Sequence, residues 1–515
     1  MKSFRVKNIK SFVDSGDIEI APITIFVGKN SCGKSSLIRF PAVLSQTFIA
    51  DTDSPIKFYG KMLDYGNYED VLHGHGEGDI SFEAKYQVDL NRLEMMGPMR
   101  RRFMSDVDRR SGERKVVDAT IEVTIGKVSK MLVVKSFALF IDSKEMYRII
   151  KNHGNGNSYV YRLNTLFEDG KLIPSSREYT INTRIEEFDG FFPVVRIREE
   201  ELQKSINVDS IDEEVIARIS AYMHEFNRQI RFGEIEKANE DINELPEEGR
   251  LAVTIDNTID YLTFITVQLN RIMNREADWL SYIGPFRDNP ERVYRDQEKK
   301  STFVGTRGEN VSTLIINDYH KDTHELIEKI SEWLYLSMGY RIAVKDLDSN
   351  LFQIMIEDKD GFQSNILDVG YGISQVLPIV AEVFRMQSNQ RHTMSGMRYD
   401  NRILIVEQPE LHLHPAAQAD LAELFVTYVG DRSRRLLVET HSEHLIRKLQ
   451  VCVADPNCPL TKDMVKIYYV DKKNEDTYAS IDEMKICEDG RFEKEWPTGF
   501  FDKAFDLSME LAEFN

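Results

Sequence analysis

The residues from Gly28 to Ser36 have the types and spacing of a loop that binds phosphate. They match the pattern G-x-x-x-x-G-K-[ST] in full. Glycines let a backbone wrap a phosphate group, and amide N–H groups at a helix start supply hydrogen-bond donors. In this pattern Lys34 would reach the β- and γ-phosphates of a nucleotide, and Ser35 would be a ligand of Mg²⁺. The residues expected to contact the nucleotide are Gly28, Asn30, Ser31, Cys32, Gly33, Lys34, Ser35 and Ser36.

A second group of chemically active residues follows the apolar residues 403–406, which predict a buried strand. An acid at such a strand end can hold Mg²⁺, and the next position usually holds the group that polarises water. Glu407 is therefore the expected metal ligand, although any buried strand before a turn would have the same pattern. Gln408 can orient water but cannot accept its proton. This predicts slow hydrolysis unless Glu410 or the substrate itself acts as the base.

Two weaker signals lie on either side of that strand. Residues 370–375, the signature segment, open an apolar helix, and four of them could form a second anion site. The same segment also fits a glycine turn with a serine N-cap. His441 follows a predicted strand over residues 436–438 and could hydrogen-bond a γ-phosphate, or else cap a helix or lie on the surface. The four residues of the signature segment are Gly370, Gly372, Ser374 and Gln375.

Hydrophobic periodicity predicts the elements that must position these residues. Short strands are expected within residues 1–27 and a helix over about 34–48. Alternating runs between residues 80 and 162 predict an antiparallel β-meander. The fold class expected is α/β, with a head built from both ends of the chain and a β-meander and a helical insertion between them.

The pattern changes near residue 209. Apolar residues at helical spacing over 215–230, 259–272 and 324–336 predict helices, and the acidic residues 234–249 predict an exposed linker or loop. Strands resume at 341–345 and 351–356. The domains expected are an N-terminal part of the head (1–80), a β-rich part (81–200), a helical insertion (201–335), a C-terminal part of the head (336–460) and a C-terminal segment (461–515).

Composition excludes several classes of protein. With 515 residues, 42% hydrophobic and 29% charged, the chain reads as a soluble globular protein of roughly three domains. A net charge of −19 repels a polyanion on average, so nucleic-acid contact would need a local basic patch or a partner. No apolar run is long enough to cross a membrane. The four cysteines lack zinc-finger spacing and suit a reducing cytoplasm.

Residues 97–115 form such a local basic stretch, with seven basic residues against three acids. A solvated loop is the simpler interpretation, and contact with nucleic acid or a partner protein is the alternative. The basic residues are Arg100, Arg101, Arg102, Arg109, Arg110, Arg114 and Lys115.

The motifs follow one another in the order of an ABC-type ATPase. The chain resembles the SMC/RecF-like branch of these proteins, specifically the bacterial AAA-15/AAA-21-type ATPases related to the overcoming-lysogenisation-defect proteins. Residues 8–12 are similar to that branch's N-F-K-S-F start. Residues 407–415, the acid loop, are similar to its E-x-P-E-x-H-L-H-P Walker B and D-loop, which explains His412 and His414 without a metal. Residues 439–442 resemble its switch.

The resemblance covers about residues 1–75 and 280–515. It implies an ABC-type P-loop ATPase head that binds ATP and Mg²⁺ and forms a homodimer or higher oligomer. One subunit's phosphate loop and the other's signature segment would then share each nucleotide. Lys10 and Ser11 of the opening motif join the expected nucleotide contacts. Two positions compete for the Q-loop, Gln46 and the turn at residues 64–66.

The tail at residues 496–502 is similar to the W-P-x-G-F-F-D ending found in a subset of these ATPases. That subset includes ATPase subunits of Septu-type anti-phage systems, some linked to retrons, in which an HNH nuclease partner cuts. The resemblance therefore implies a cytoplasmic ATPase that controls a nuclease and is not itself one, since too few residues follow His441 for a Toprim nuclease. The alternative is a DNA-repair or recombination ATPase that clamps DNA directly.

Overall fold

The computed structural model describes residues 1–50, 52–89, 116–152, 156–168, 171–195, 197, 201, 247–296, 301–388, 402–430, 433–472 and 478–497. Several sequence-based expectations lie outside these residues and stay predictions. They are the helix at 215–230, the basic residues of 97–115 and the tail after residue 497. The domain boundaries at residues 80, 200, 335 and 460 also stay predictions.

The strands are β1 (Ser3–Ile9), β2 (Phe12–Asp14), β3 (Ile18–Glu19), β4 (Ile23–Gly28), β5 (Ile80–Asp89), β6 (Val116–Val128), β7 (Met131–Ile141), β8 (Lys144–Lys151), β9 (Ser158–Glu168), β10 (Lys171–Arg184), β11 (Phe188–Asp189), β12 (Phe192–Pro193), β13 (Leu280–Ile283), β14 (Tyr294–Arg295), β15 (Arg341–Asp346), β16 (Leu351–Glu357), β17 (Gln363–Asn365), β18 (Ile403–Glu407), β19 (Arg435–Glu439), β20 (Val465–Asp471) and β21 (Ser480–Glu483). The helices are α1 (Lys34–Ile49), α2 (Tyr68–Val71), α3 (Glu247–Asp278), α4 (Val311–Tyr319), α5 (Glu325–Met338), α6 (Tyr371–Ser388), α7 (Pro415–Val429) and α8 (Glu443–Ala454).

The chain divides into two compact units, of which the first comprises Met1–Ile9, Ala50–Lys57 and Gly76–Arg275. Its main feature is an antiparallel sheet in the order β10-β9-β8-β7-β6-β5-β1. Buried residues alternate with less buried ones along β5, as the period of a strand with one covered face requires. The part of α3 in this unit bonds to the sheet, where the Tyr147 hydroxyl and Thr266 Oγ1 lie 2.7 Å apart. The predicted β-meander is confirmed.

The second unit comprises Lys10–Ile49, Phe58–His75 and Glu276–Asn515. Its larger sheet has the order β13-β18-β19-β4-β20-β21, parallel except for the edge strand β21. Every residue of β4 and β18 is buried, which explains why both strands are mostly apolar. The carboxyl ends of parallel strands meet at one edge, so the ends of β4, β19 and β18 lie side by side. The predicted α/β class is confirmed.

Helices and a small sheet complete the second unit. The small sheet is antiparallel, in the order β14-β16-β15 with β17 paired to β16. Apolar side chains of α4, α5, α6, α7 and α8 share one buried cluster with the parallel sheet. None of the described helices is long and apolar enough to cross a membrane.

The sequence-based elements agree with the described structure in most places. The helices expected over 34–48, 259–272 and 324–336 are found in α1, α3 and α5. One expectation is partly wrong: the last three residues of the linker predicted over 234–249 are helical, and the rest of that stretch lies outside the described residues. Residues 247–249 form the first turn of α3. The helix is continuous from there to the buried residues Ala252, Val253 and Ile255, whose packing stabilises its N-terminal part.

Candidate functional site

The phosphate loop, residues 28–36, keeps its shape because two glycines occupy positions that no other residue could take. Gly28 has a φ of 141°, and a Cβ there would lie 1.9 Å from the carbonyl oxygen of Val470. Gly33 has a φ of 110°, and its Cβ would lie 2.8 Å from the Phe12 ring. Between them Lys29, Asn30 and Ser31 are exposed. Their backbone is therefore open to a ligand.

Lys34 is the buried cation of this loop, with 3% of its surface exposed. Its Nζ donates to the carbonyl oxygens of Gly28 and Lys29 at 3.0 and 2.6 Å. A phosphate oxygen is a stronger acceptor for an ammonium group than these neutral carbonyls. The loop is therefore arranged around a cation that would favour phosphate.

Cys32 faces back onto the loop, since its thiol contacts the carbonyl oxygens of Lys29 and Val470 at 2.8 and 3.0 Å. Burial raises the pKa of this thiol, which keeps it neutral and unreactive. The predicted contact of Cys32 with a nucleotide is thus limited to its backbone.

Glu407, the predicted metal ligand, ends β18 with 1% of its surface exposed. Arg39 Nε and one terminal nitrogen of its guanidinium donate to the two carboxylate oxygens, each at 2.6 Å. The Tyr282 hydroxyl donates to Oε1 at 2.8 Å. Both oxygens of Glu407 are therefore already engaged by side chains of the protein.

Glu439 ends the neighbouring strand β19 and lies in register with Glu407. It is 4% exposed, and the Ser35 hydroxyl hydrogen-bonds its carboxylate. Its Oε2 is buried and has no hydrogen-bond partner among the described residues. Burial and the negative charge of Glu407 raise the pKa of Glu439 to about 7. Glu439 is not among the site residues predicted from the sequence, although it ends an apolar strand just as Glu407 does.

Gln408 and Glu410 are held in the acid loop by backbone hydrogen bonds to β19 and the residues after it. The Gln408 N–H donates to the Glu439 carbonyl at 2.7 Å, and its φ is 46°. Glu410 Oε1 accepts the His441 N–H at 2.7 Å, and burial raises the pKa of this carboxyl. Its Oε2 is buried with no hydrogen-bond partner in the described part of the chain. Glu410 is thus close to the predicted histidine but partly engaged.

His441 lies between β19 and α8. Burial, with a contribution from the positive charge of Lys34, lowers its pKa to about 4. The ring is therefore neutral at pH 7, and its Nε2 is buried without a hydrogen-bond partner among the described residues. Ser442 fixes the turn that follows, because its Oγ caps α8 by accepting the Leu445 N–H at 3.1 Å. A neutral imidazole next to Lys34 can hydrogen-bond a phosphate.

Arg287 is a site residue that is not among those predicted from the sequence. It is 5% exposed and donates to the carbonyl oxygens of Glu407 and Gln408 at 2.7 and 3.3 Å. Tyr282 of β13 binds the Glu407 side chain from the same chain segment. These two residues hold the start of the acid loop in place.

Comparison with known protein families shows to which family the chain belongs. A family model described as an AAA ATPase domain, AAA_15, matches residues 1–446. The chain belongs to the AAA_15 family. A second model, a protein of unknown function named DUF3696, matches residues 460–511 of this AAA_15 protein. No curated protein matches it.

Solved structures similar to the AAA_15 chain include heads of SMC proteins. One is the Smc head domain of Pyrococcus furiosus with an extended coiled coil, bound to the C-terminal domain of ScpA. It is 12% identical over 99% of both chains, with a TM-score of 0.33. Another is the SMC head domain from Thermotoga maritima, 8% identical over 94% of this chain and 99% of that chain, with a TM-score of 0.32.

The signature segment packs on the acid loop. A Cβ at Gly372 would lie 2.9 Å from the His412 carbonyl oxygen, whereas a Cβ at Gly370 would have nothing within 4 Å. Ser374 is buried inside α6 and donates to the Tyr371 carbonyl at 2.9 Å, so it is not the N-cap of that helix. Gln375 is also buried. Gly370 is thus an exposed residue of this segment with open space around it.

The residues of the opening motif lie near the phosphate loop. The Ser11 Cβ is 2.9 Å from the position that a Gly33 Cβ would take. Lys10 Nζ lies 5.1 Å from the centre of the Tyr65 ring, and burial lowers its pKa. Gln46 is 5% exposed and accepts the Leu63 N–H at 3.3 Å, so its side chain braces a turn. Both candidate Q-loop positions stay predictions.

ATP and Mg²⁺ suit the residues that the structure brings together. The loop has glycines at two positions that a Cβ would fill, and Lys34 inside it. The Ser35 hydroxyl and the Glu439 carboxylate are hard oxygen donors of the kind that Mg²⁺ prefers, whereas Arg39 and Tyr282 engage the oxygens of Glu407, the predicted metal ligand. When bound, the metal would neutralise negative charge on the phosphates.

Proposed function

We propose that the chain is an ABC-type ATPase that binds ATP with Mg²⁺, hydrolyses it slowly and dimerises head to head. One observation carries the proposal: Lys34, Ser35, Glu439 and His441 converge at the carboxyl ends of adjacent parallel strands. This combination of a buried cation, oxygen donors and a neutral imidazole suits a nucleoside triphosphate. Membership of the AAA_15 family supports the same activity.

Slow hydrolysis follows from the groups around the expected position of the attacking water. Gln408 stands where the usual base would be, and an amide cannot accept a proton. Glu410 has a raised pKa and gives one oxygen to the His441 backbone. Neutral His441 would bind the γ-phosphate and orient it. The head would therefore hold ATP for long periods, as a nucleotide-gated clamp does.

Dimerisation would bring the signature segment of one subunit to the phosphate loop of the other. Its exposed residues support this role, since Gly370 has open space around it and Tyr371 is 62% exposed. Such a composite site would need two copies of the chain, so the proposed minimum unit is a homodimer.

The dimer is tested by measuring molar mass in solution for the full chain, with and without ATP and Mg²⁺. Gly370→Leu should keep nucleotide binding yet stay monomeric, because the new side chain projects into open space and not into its own subunit. Gly156→Leu is the matched control, since that glycine is equally open. A Gly370→Leu protein that dimerises with ATP as well as the parent does would contradict the composite site.

The proposed output is control of a partner nuclease of the HNH type in anti-phage defence, in the cytoplasm. The support is the similarity of the tail to the W-P-x-G-F-F-D ending, in the region matched by the DUF3696 model. Purification from the native operon should recover a nuclease with the chain. Lys34→Ala should abolish protection against phage. Recovery of DNA-repair proteins, with full phage protection by the variant, would favour the DNA-clamp alternative instead.

A further inference from the structure

We infer that Glu439 is the carboxylate that faces the divalent metal beside Ser35, while Arg39 and Tyr282 hold Glu407. The inference rests on the proposed function, since it assigns a residue to the metal that accompanies ATP. It also divides two strand-end acids into a metal-facing residue and a positioning residue.

The carboxylate oxygens of Glu407 are already engaged within the protein. Arg39 takes both oxygens of Glu407, and Tyr282 adds a further hydrogen bond to one of them. A metal ion at Glu407 would have to displace this guanidinium. The displaced guanidinium would then lack the carboxylate that now compensates its charge.

Glu439, in contrast, is incompletely hydrogen-bonded. Buried polar atoms in proteins are almost always paired, yet its Oε2 has no partner among the described residues. The residue is 4% exposed, so bulk water does not supply that partner. An unpaired carboxylate oxygen in a buried site indicates a group that is bound there during function.

The Ser35 hydroxyl also favours a metal ion beside Glu439. By hydrogen-bonding the Glu439 carboxylate, this hydroxyl directs its proton there and leaves its lone pairs for a cation. The positive charge of Lys34 also acts on this carboxylate, so the cation expected to bind phosphate lies near it. Strand order agrees, because β19 pairs directly with β4, whereas β18 lies one strand farther away. Neighbouring strands of a sheet lie about 4.8 Å apart.

The test measures how much Mn²⁺ the full-length protein needs to bind a non-hydrolysable ATP analogue, with protein-bound Mn²⁺ followed by electron paramagnetic resonance. Glu439→Gln should raise the half-saturating metal concentration about 10- to 100-fold. Its affinity for the analogue in EDTA should be equal to that of the parent or tighter, because a negative charge near the phosphates is gone. Glu439→Asp should lie between the parent and Glu439→Gln.

Two comparison variants make the result specific. Glu407→Gln should change the metal requirement less than Glu439→Gln does. Glu443→Gln removes an equal charge four residues away, from a residue paired with Arg447, and should not change it. An unchanged requirement in Glu439→Gln, with a raised one in Glu407→Gln, would overturn the inference and leave the proposed function standing. If the parent binds no analogue at all, the proposed function fails as well.

Discussion

Arg39→Met should destabilise the protein strongly, because it leaves Glu407 without its main partner. The guanidinium makes two hydrogen bonds of 2.6 Å to a carboxylate whose side chain is only 2% exposed. Removing one member of a buried ion pair leaves an uncompensated charge and costs about 3–5 kcal/mol. Tyr282 keeps one hydrogen bond to Glu407, so we expect the free energy of unfolding to fall by about 3 kcal/mol.

The assay is urea unfolding of the full chain, which yields the free energy of unfolding. Adding Glu407→Gln to Arg39→Met should restore much of the loss, because a neutral amide needs no counter-charge. Arg292→Met is the matched control: Arg292 binds Asp368 with similar geometry, at 2.6 and 2.9 Å, but both are exposed. It should leave the midpoint unchanged. A loss of less than about 1 kcal/mol in the unfolding free energy of Arg39→Met, or no recovery of stability in the double variant, would refute the role of this ion pair.

Three further predictions concern the acids and the signature segment. Gln408→Glu should raise the rate of steady-state phosphate release, within the roughly 10²- to 10⁴-fold range of general-base effects. Glu410→Gln should lower that rate relative to the parent. Fast phosphate release by the parent that Glu410→Gln does not change would contradict the nucleotide-gated clamp. Glu439 binds its proton more tightly when folded, with a pKa of about 7 against 4.5, so it weakens the fold as pH rises between these values. As pH rises over that interval, the unfolding free energy of Glu439→Gln should therefore rise by up to about 3 kcal/mol relative to that of the parent. Equal pH dependence of unfolding in the two proteins would exclude this. Gly372→Leu should lower the unfolding temperature, because its Cβ would lie 2.9 Å from the His412 carbonyl; an unchanged temperature would show that the acid loop yields easily.

Local features of the site could be predicted from the sequence. The phosphate loop between β4 and α1 follows from an apolar run, two glycines and a helix start, all within a few residues. The strand that ends at Glu407 follows from four apolar residues before an acid. The β-meander follows from alternation along each strand. In each case neighbouring residues decide the structure.

The pairing of distant residues could not be predicted in this way. Arg39 and Glu407 are 368 residues apart in the chain, and Tyr282 is 125 residues from Glu407. Their contacts depend on the strand order of the parallel sheet, which periodicity does not determine. The bond between Ser35 and Glu439 depends on the same order, because it requires β19 to lie beside β4.

Binding of ATP at the phosphate loop is the central claim, and calorimetry with the parent and Lys34→Ala tests it most directly. Lys34 is the buried positive charge of its loop and would contact the β- and γ-phosphates. The parent should bind ATP in the presence of Mg²⁺, and the variant should show no binding while unfolding at the same temperature. Equal ATP affinity in the two proteins would contradict the account.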